Sequence, residues 1–341
     1  MMRGRLLVLA GLLVLALTGC AGGAASSGEG GPAQEERLVI YTSHKEEVWW
    51  PIVKEFEERT GIWVDVVTGG TNELLDRIGQ ETDHPQADVM FGGGVESLHA
   101  CRDLFESYTT TQSRAIAQQY RAPEDLWTPF SSLPVVLIYN TKLVSPWEVT
   151  GWSDLLSSRF RGKIAFADPQ ISGSSFTALV TMSQALEGEW EENVQRFAGN
   201  LEGRQLDSSG DVLTSVAGGS DWVGITLEET AMKRIAAGDD IAMVYPADGT
   251  SSVPDGCALV KGAPHQENAR AFLDFTVSYD VQRLLPEQFY RRSVRQDVEA
   301  GETLLPLEQI SMVEYDVAWA SQNRDAILMT WAFRLGGEGE P

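Results

Sequence analysis

A short apolar run, a turn of glycine or hydroxyl residues, and an amphipathic segment follow one another three times between Leu38 and Phe105. No other pattern in the chain restricts its fold as much. Leu38 to Thr42 (Leu-Val-Ile-Tyr-Thr) is apolar and rich in β-branched and aromatic residues, the make-up of a buried strand. Ser43 with Glu46 three positions on reads as a capping box, after which Val48, Trp49, Ile52, Val53 and Phe56 recur at helical spacing as far as Gly61. Ile62 to Val67 reads as a second strand, closed by Gly69-Gly70-Thr71, with a helix expected from Asn72 to about Gln80. Asp88 to Phe91 reads as a third, closed by Gly92-Gly93-Gly94, with a helix to about Phe105. Alternation of this kind means parallel strands joined by crossover helices. Ligands of such sheets bind beyond the carboxyl ends of the strands, so Thr42-Ser43-His44, Gly69-Gly70-Thr71 and Gly92-Gly93-Gly94 are expected to line one edge of a cleft.

The chain has 341 residues, more than one hydrophobic core usually holds, which predicts two lobes. Leu133 to Asn140 (LPVVLIYN), with Pro134 near its start, suits a strand crossing between them. Beyond it the alternation resumes. Ser153 reads as the cap of a helix from Asp154, and Lys163 to Ala167 as a strand before the turn at Asp168-Pro169. Ser172-Gly173-Ser174-Ser175 opens a helix to about Leu186, and Trp190 to Asn200 is another. Asp221 to Thr226 reads as a strand leading into a second capping box at Thr226 and Glu229. Ile241 to Tyr245 and Ala258 to Lys261 read as strands, followed by helices over 265–278, 280–289 and 313–333.

The amino terminus carries a different message. Arg3 and Arg5, the apolar run Leu6 to Leu17, and Leu17-Thr18-Gly19-Cys20 form the anatomy of a secretory leader with a lipoprotein cleavage site. Residues 1–19 are thus expected to be removed and Cys20 to carry lipid, its sole contact with a membrane. Residues 20–36, built largely of Gly, Ala, Ser and Glu, are too poor in apolar groups to pack and read as a flexible tether. A net charge of −23 argues against nucleic acid and anionic bilayers as partners. Cys101 and Cys257 are left either to pair or to stay buried and reduced. His44, His84, His99 and His265 show no metal-ligand spacing, and no resident metal or other cofactor is expected. Neither a G-x-S-x-G elbow, nor a P-loop, nor a dinucleotide fingerprint occurs, which argues against an enzyme.

Taken in order, these segments resemble the bacterial extracellular solute-binding proteins of ABC importers, in the group labelled ferric-iron-binding that also includes sugar-phosphate, phosphoglycerate and phosphonate binders. The resemblance rests on Tyr41-Thr-Ser-His-Lys-Glu46, Thr60-Gly-Ile62, Gly69-Gly-Thr71, Ala87-Asp-Val89 and Tyr139-Asn-Thr141. It continues through Phe160-Arg-Gly-Lys-Ile164, Asp168-Pro169, Ser172-Gly-Ser-Ser175, Tyr245-Pro-Ala-Asp-Gly-Thr250 and Lys261-Gly-Ala-Pro264, covering about Arg37 to Phe333. It implies an α/β, two-lobed, type II periplasmic-binding-protein-like fold, each lobe a mostly parallel sheet flanked by helices, with the ligand cleft at the hinge. Residues 37–138 and 248–300 would form lobe 1, and 139–247 and 301–335 lobe 2. It also implies an ABC permease and its ATPase as partners, an extracytoplasmic location and a monomer. A sensor that reports to a membrane kinase would use the same fold.

The residues discriminate between ligands of that group. Ferric ion needs anionic oxygen donors, supplied in its binders by a His and an acid in one lobe and paired tyrosines in the other. His44 matches the His, but glycine stands at the acid position and Ile225-Thr-Leu-Glu-Glu229 at the tyrosines. An oxyanion fits better, because helix N-termini leave amide donors free and carry about half a positive charge. Thr42, Ser43, His44, Gly70, Thr71, Gly93, Gly94, Ser172, Ser174 and Ser175 are the candidates for that contact. Thr226, Glu228, Asp248 and Arg292 are the candidates for holding the rest of a small phosphorylated or phosphonate solute, with Arg291 beside Arg292 expected to add charge. Ferric iron stays as the alternative cargo.

Overall fold

The computed structural model describes residues 36–335. The leader, Cys20 and most of the tether therefore lie outside the described residues. Ten strands occur in it: β1 (Arg37–Thr42), β2 (Trp63–Thr68), β3 (Val89–Gly94), β4 (Phe105–Glu106), β5 (Thr128–Asn140), β6 (Ile164–Ala165), β7 (Val223–Leu227), β8 (Ile241–Val244), β9 (Ser252–Val260) and β10 (Arg292–Ser293). They form one path in the order β2-β1-β3-β9-β5-β7-β6, with β4 added to β9 and both β8 and β10 to β5.

The repeated unit at the start produces parallel pairs, β1 with β2 and β1 with β3. Pairing turns antiparallel where the chain returns from the far lobe, at β3 with β9 and β9 with β5. β5 is the shared element. Its Thr128–Pro134 half pairs with β9 and its Val135–Tyr139 half with β7, so a single fully buried strand belongs to both sheets.

Two main apolar cores result, with smaller clusters around Val136, Ile138 and Val212 and around Ile116, Tyr120, Val277 and Val294. One gathers Leu38, Ile40, Phe56, Phe91, Phe130 and Phe272; the other gathers Trp152, Phe166, Phe176, Phe197 and Trp331 around Val135 and Leu137. The amphipathic helix Glu46–Thr60 buries Val48, Ile52, Val53 and Phe56 on the first, the face its spacing dictates. Tyr315 packs against both cores, where the carboxyl-terminal segment passes between the lobes. The last helical stretch is two helices, Val317–Gln322 and Arg324–Leu335, broken at Asn323, where one was expected. Both Cys101 and Cys257 are free thiols. No helix among the described residues is long and apolar enough to cross a membrane.

Candidate functional site

A cavity of about 260 Å³ lies where the lobes meet, below the roughly 300–1,000 Å³ of sites for drug-sized ligands. Lobe 1 contributes Ser43, His44, Lys45, Gly69, Gly70, Thr71, Gly93, Gly94, Asp255 and Arg291 to its wall. Lobe 2 contributes Ser172, Gly173, Ser174, Thr177, Asp207, Ser208, Ser209, Glu229 and Thr230. The lobes touch across it, Asn72 Nδ2 donating to the Gln170 carbonyl at 2.6 Å.

Helix starts dominate this wall. Five helices of nine residues or more, Glu46–Thr60, Thr71–Gln80, Gly173–Ala185, Ser209–Ala217 and Glu228–Ala236, have their N-cap residues on it: Lys45, Gly70, Ser172, Ser208 and Leu227. Only Ser172 and Ser208 cap with their own side chains, accepting from the amides of Ser175 and Asp211. The capping boxes read at Ser43 and at Thr226 with Glu229 do not form, because the first helix begins three residues after Ser43 and the second two after Thr226, leaving Lys45 and Leu227 as the N-caps. The helix expected to be capped by Ser153 likewise begins earlier, at Trp152, with Gly151 as its N-cap. Ser43 is thereby released to the cavity wall.

Glycine makes the approach of the first three loops possible. Gly92 and Gly93 hold φ of 102° and 98°, a region that L side chains rarely adopt. A Cβ on Gly92 would stand 2.9 Å from Ser43 Oγ, and one on Gly93 2.8 Å from Thr71 Cγ2.

Beneath the amide-rich rim runs a chain of charges. Arg291 Nη1 donates to Asp255 Oδ2 at 2.8 Å, and its Nη2 to Glu229 Oε1 at 3.3 Å. Asp255 also accepts from the amide and hydroxyl of Ser131, both at 2.7 Å. Lys233 Nζ lies 3.0 Å from Glu229 Oε2 and 2.8 Å from Glu47 Oε1. Burial alone would lift Glu229; Arg291 and Lys233 instead hold its carboxyl below the usual range. His44 stands edge-on to Phe91, its Nε2 3.5 Å from Asp255 Oδ2 and without a hydrogen-bond partner. Burial, aided by the Arg291 charge, pushes the His44 imidazole well below its ordinary value, so the ring is neutral and the contact is no ion pair. Arg291 Nε likewise finds no partner.

The structure brings Ser43, His44, Gly70, Thr71, Gly93, Gly94, Ser172 and Ser174 together on this wall. It takes six other candidates away from it. Thr42 is fully buried, its hydroxyl donating to the Phe91 carbonyl and accepting from the His44 amide, which ties β1 to β3. Ser175 is buried along its helix. Thr226 sits within β7 opposite Val136. Glu228 is held by Arg292 and by the Tyr245 hydroxyl. Asp248 accepts from the amide and hydroxyl of Ser153, tying down the start of the helix Trp152–Leu155. Arg292 is spent on Glu228 and on the Leu305 carbonyl.

Lys45, Asp207, Ser208 and Asp255 are wall residues that the motifs did not single out as ligand contacts; Arg291, expected with Arg292 to add charge, is on the wall, and Glu229 was read as a cap. Ser208 with Asp211 three positions on carried a readable capping signal. Asp255 carried none, since its place depends on a register shift between β3 and β9.

The model of the family described as bacterial extracellular solute-binding protein matches residues 84–318, over two thirds of the chain. The chain belongs to that family. It is 25% identical over 280 residues to iron uptake protein A1 of Synechocystis sp., covering 77% of each chain. It is 24% identical over 253 residues to a putative 2-aminoethylphosphonate-binding periplasmic protein of Salmonella typhi, covering 71% of this chain and 73% of that one. The fold matches the periplasmic binding protein AfuA of Actinobacillus pleuropneumoniae, solved with exogenous fructose-6-phosphate bound, with a TM-score of 0.81 at 24% identity, over 89% of this chain and 99% of that one. The two-lobed type II architecture and extracellular solute binding come with the family.

Proposed function

We propose that the cavity captures a small solute bearing a phosphate or phosphonate group, for delivery to an ABC permease. One observation carries the reading: five helix N-termini converge on a space of about 260 Å³. Each brings about half a positive charge and unpaired amides. The side-chain charges largely cancel: on the wall Lys45 and Arg291 stand against Asp207, Asp255 and Glu229, and Lys233 meets Glu229 from outside it. The helix dipoles have no such counterpart, so the space favours an oxyanion. Three or four hydrogen bonds to a charged oxygen, about 1.5–3 kcal/mol each, approach the roughly 8 kcal/mol of micromolar binding before ordering costs. A second half of the ligand is therefore required. Asp207, Glu229 and the neutral His44 offer acceptors for sugar hydroxyls or an ammonium group at the other side of the wall.

Ferric ion meets a poorer donor set. Among the described residues no group of three or more His, Cys, Asp or Glu could hold a metal ion. Asp255, the acid nearest His44, is already engaged by Arg291 and Ser131. We further infer that Cys20 carries the lipid that keeps the receptor beside its permease; Cys20→Ala should release the protein into the medium or periplasm.

A thermal-shift panel of fructose 6-phosphate, phosphoglycerate, 2-aminoethylphosphonate, inorganic phosphate and ferric citrate tests the ligand. At one hundred times Kd a true ligand stabilises by about 2.7 kcal/mol, a shift of several degrees for a chain this size. A shift with ferric citrate alone overturns the reading.

A further inference from the structure

Glu96 lies in the short helix Val95–Ala100 of lobe 1 and is fully buried, outside the cavity wall and with no part in the binding just described. Its carboxylate folds back over Gly94, where a Cβ would meet both oxygens within 2.8 Å. What covers it comes from the helix Gly173–Ala185 of the other lobe and from the carboxyl-terminal segment that passes between the lobes. Thr177 of the helix Gly173–Ala185 is hydrogen-bonded to Glu96 Oε1, and Ser321 Oγ of the helix Val317–Gln322 donates to the Glu96 carbonyl at 3.0 Å. Glu96 Oε2 has no partner, nor does the buried hydroxyl of Tyr315.

Thr177 Oγ1 has a single hydrogen, yet lies within reach of two acceptors, Glu96 Oε1 and the Gly173 carbonyl at 3.1 Å. A protonated Glu96 satisfies both contacts at once, Glu96 donating to Thr177 and Thr177 to Gly173, so that the one hydrogen is not shared. An ionised carboxylate here would leave Oε2 buried and bare, a state that strongly favours protonation.

We propose that closing the two lobes takes up one proton at Glu96. Drawing Thr177 away reopens the group to water and returns it to an ordinary carboxylate. The proton therefore acts as a co-ligand of the closed state, bound just behind the cavity wall to which Gly94 and Thr177 belong. Burial holds the Glu96 carboxyl above its ordinary value in the closed form, in keeping with this. The groups around it oppose it only in part. Thr177 and Ser321 are uncharged, and Tyr315 stays protonated, its hydroxyl pushed far up by burial and by Glu96 itself. Asp255, on the strand packed against this helix, is tied to Arg291, and Asp76 lies in the groove beside Ser97. Arg324, which favours the charged form, stands at the head of the carboxyl-terminal helix, flanked by Asp325.

Linkage then fixes the direction: between the open-state and closed-state values, each unit rise in pH weakens closure up to about tenfold. Small-angle scattering of the ligand-free protein between pH 5 and 8 reads this without any solute. The wild type should expand as pH rises, while Glu96→Gln, which keeps the donated hydrogen bond, should stay compact throughout. At the acid end of this range infrared spectra should show a protonated-carboxyl band that Glu96→Gln removes. Thr177→Val, with its fold checked by circular dichroism, should be open at every pH. Identical scattering for wild type and Glu96→Gln, or an unchanged carboxyl band, overturns the proposal. These outcomes do not depend on which solute binds.

Discussion

Arg292 and Glu228 meet across the lobe boundary as a two-pronged ion pair, Nε to Oε2 at 2.8 Å and Nη2 to Oε1 at 2.7 Å, with both side chains at most 5% exposed. The neighbouring pair, Arg291 with Glu229, repeats the crossing at 3.3 Å. Consecutive arginines at β10 thus grip consecutive glutamates at the start of the helix Glu228–Ala236. Residues that carry opposite charge and adjacent numbers are divided between two jobs. One pair faces the cavity and the other braces the joint behind it.

Removing one member of the bracing pair should be costly. Arg292→Met strands Glu228 without its cation, and breaking a buried pair this way costs about 3–5 kcal/mol. The Tyr245 hydroxyl remains to donate to Glu228 and should keep the loss near the lower end. Arg292→Met combined with Glu228→Leu leaves no bare charge and should recover most of the stability. Urea denaturation of the three proteins checks this; a single-variant loss below about 1 kcal/mol would show the pair to be dispensable.

Gly93→Ala should damage both stability and capture. Its φ of 98° costs a side chain about 1–3 kcal/mol, and the added Cβ would press on Thr71 at 2.8 Å, displacing the helix start on the wall. Gly188 is a natural control, with φ of 94° and nothing within 4 Å of its Cβ position. Gly188→Ala should lose comparable stability while solute affinity stays unchanged, whereas Gly93→Ala should weaken affinity at least tenfold. Calorimetric titration with the solute from the thermal-shift panel separates the two.

The parts of this molecule legible in its sequence are those written in local period. The three strand–loop–helix units, the crossing segment through Leu137 and the glycine turns follow from spacing and turn chemistry within a few residues. Caps were harder, because a hydroxyl two residues before an N-cap and one at the N-cap itself look alike in sequence: Ser172 caps, and Ser43 does not. Asp255 and Arg291 were hardest. Their meeting depends on β9 returning from the other lobe to one edge of β5 and β10 reaching its other edge after two helices, a pairing across 36 residues that no local pattern encodes. Asp248 failed in the reverse sense, since a polar loop beside the hinge was expected at the cleft and instead ties down a neighbouring turn through Ser153.

Single serine variants along Ser172-Gly173-Ser174-Ser175 should separate capping from capture. Ser172→Ala removes the acceptor for the Ser175 amide and should cost about 1 kcal/mol of stability. Ser174→Ala removes a hydroxyl on the cavity wall, 3.1 Å from Ser172 Oγ, and should weaken binding tenfold or more with little change in folding. Ser175→Ala should leave affinity intact, because that hydroxyl is buried off the wall. Equal loss of affinity in the Ser174 and Ser175 variants would contradict the placement of the helix start.

His44 should make the protein acid-sensitive. Burial and the Arg291 charge hold its folded-state value well below that of the free imidazole, near 6.5. Above pH 6.5 the ring is neutral in both folded and unfolded chains, and it contributes no pH dependence. Below that point the unfolded chain binds a proton that the folded chain refuses, so stability rises with pH and falls as acid is added, by at most about 1.4 kcal/mol per pH unit. Glu96 works in the opposite sense, losing stability as pH rises from the ordinary carboxylate range, so the two must be separated by mutation. His44→Gln should flatten the loss between pH 6.5 and 5, whatever the neutral side chain costs at pH 8. Stability curves of wild type and variant that stay parallel across that interval would mean that His44 takes up its proton in the folded state.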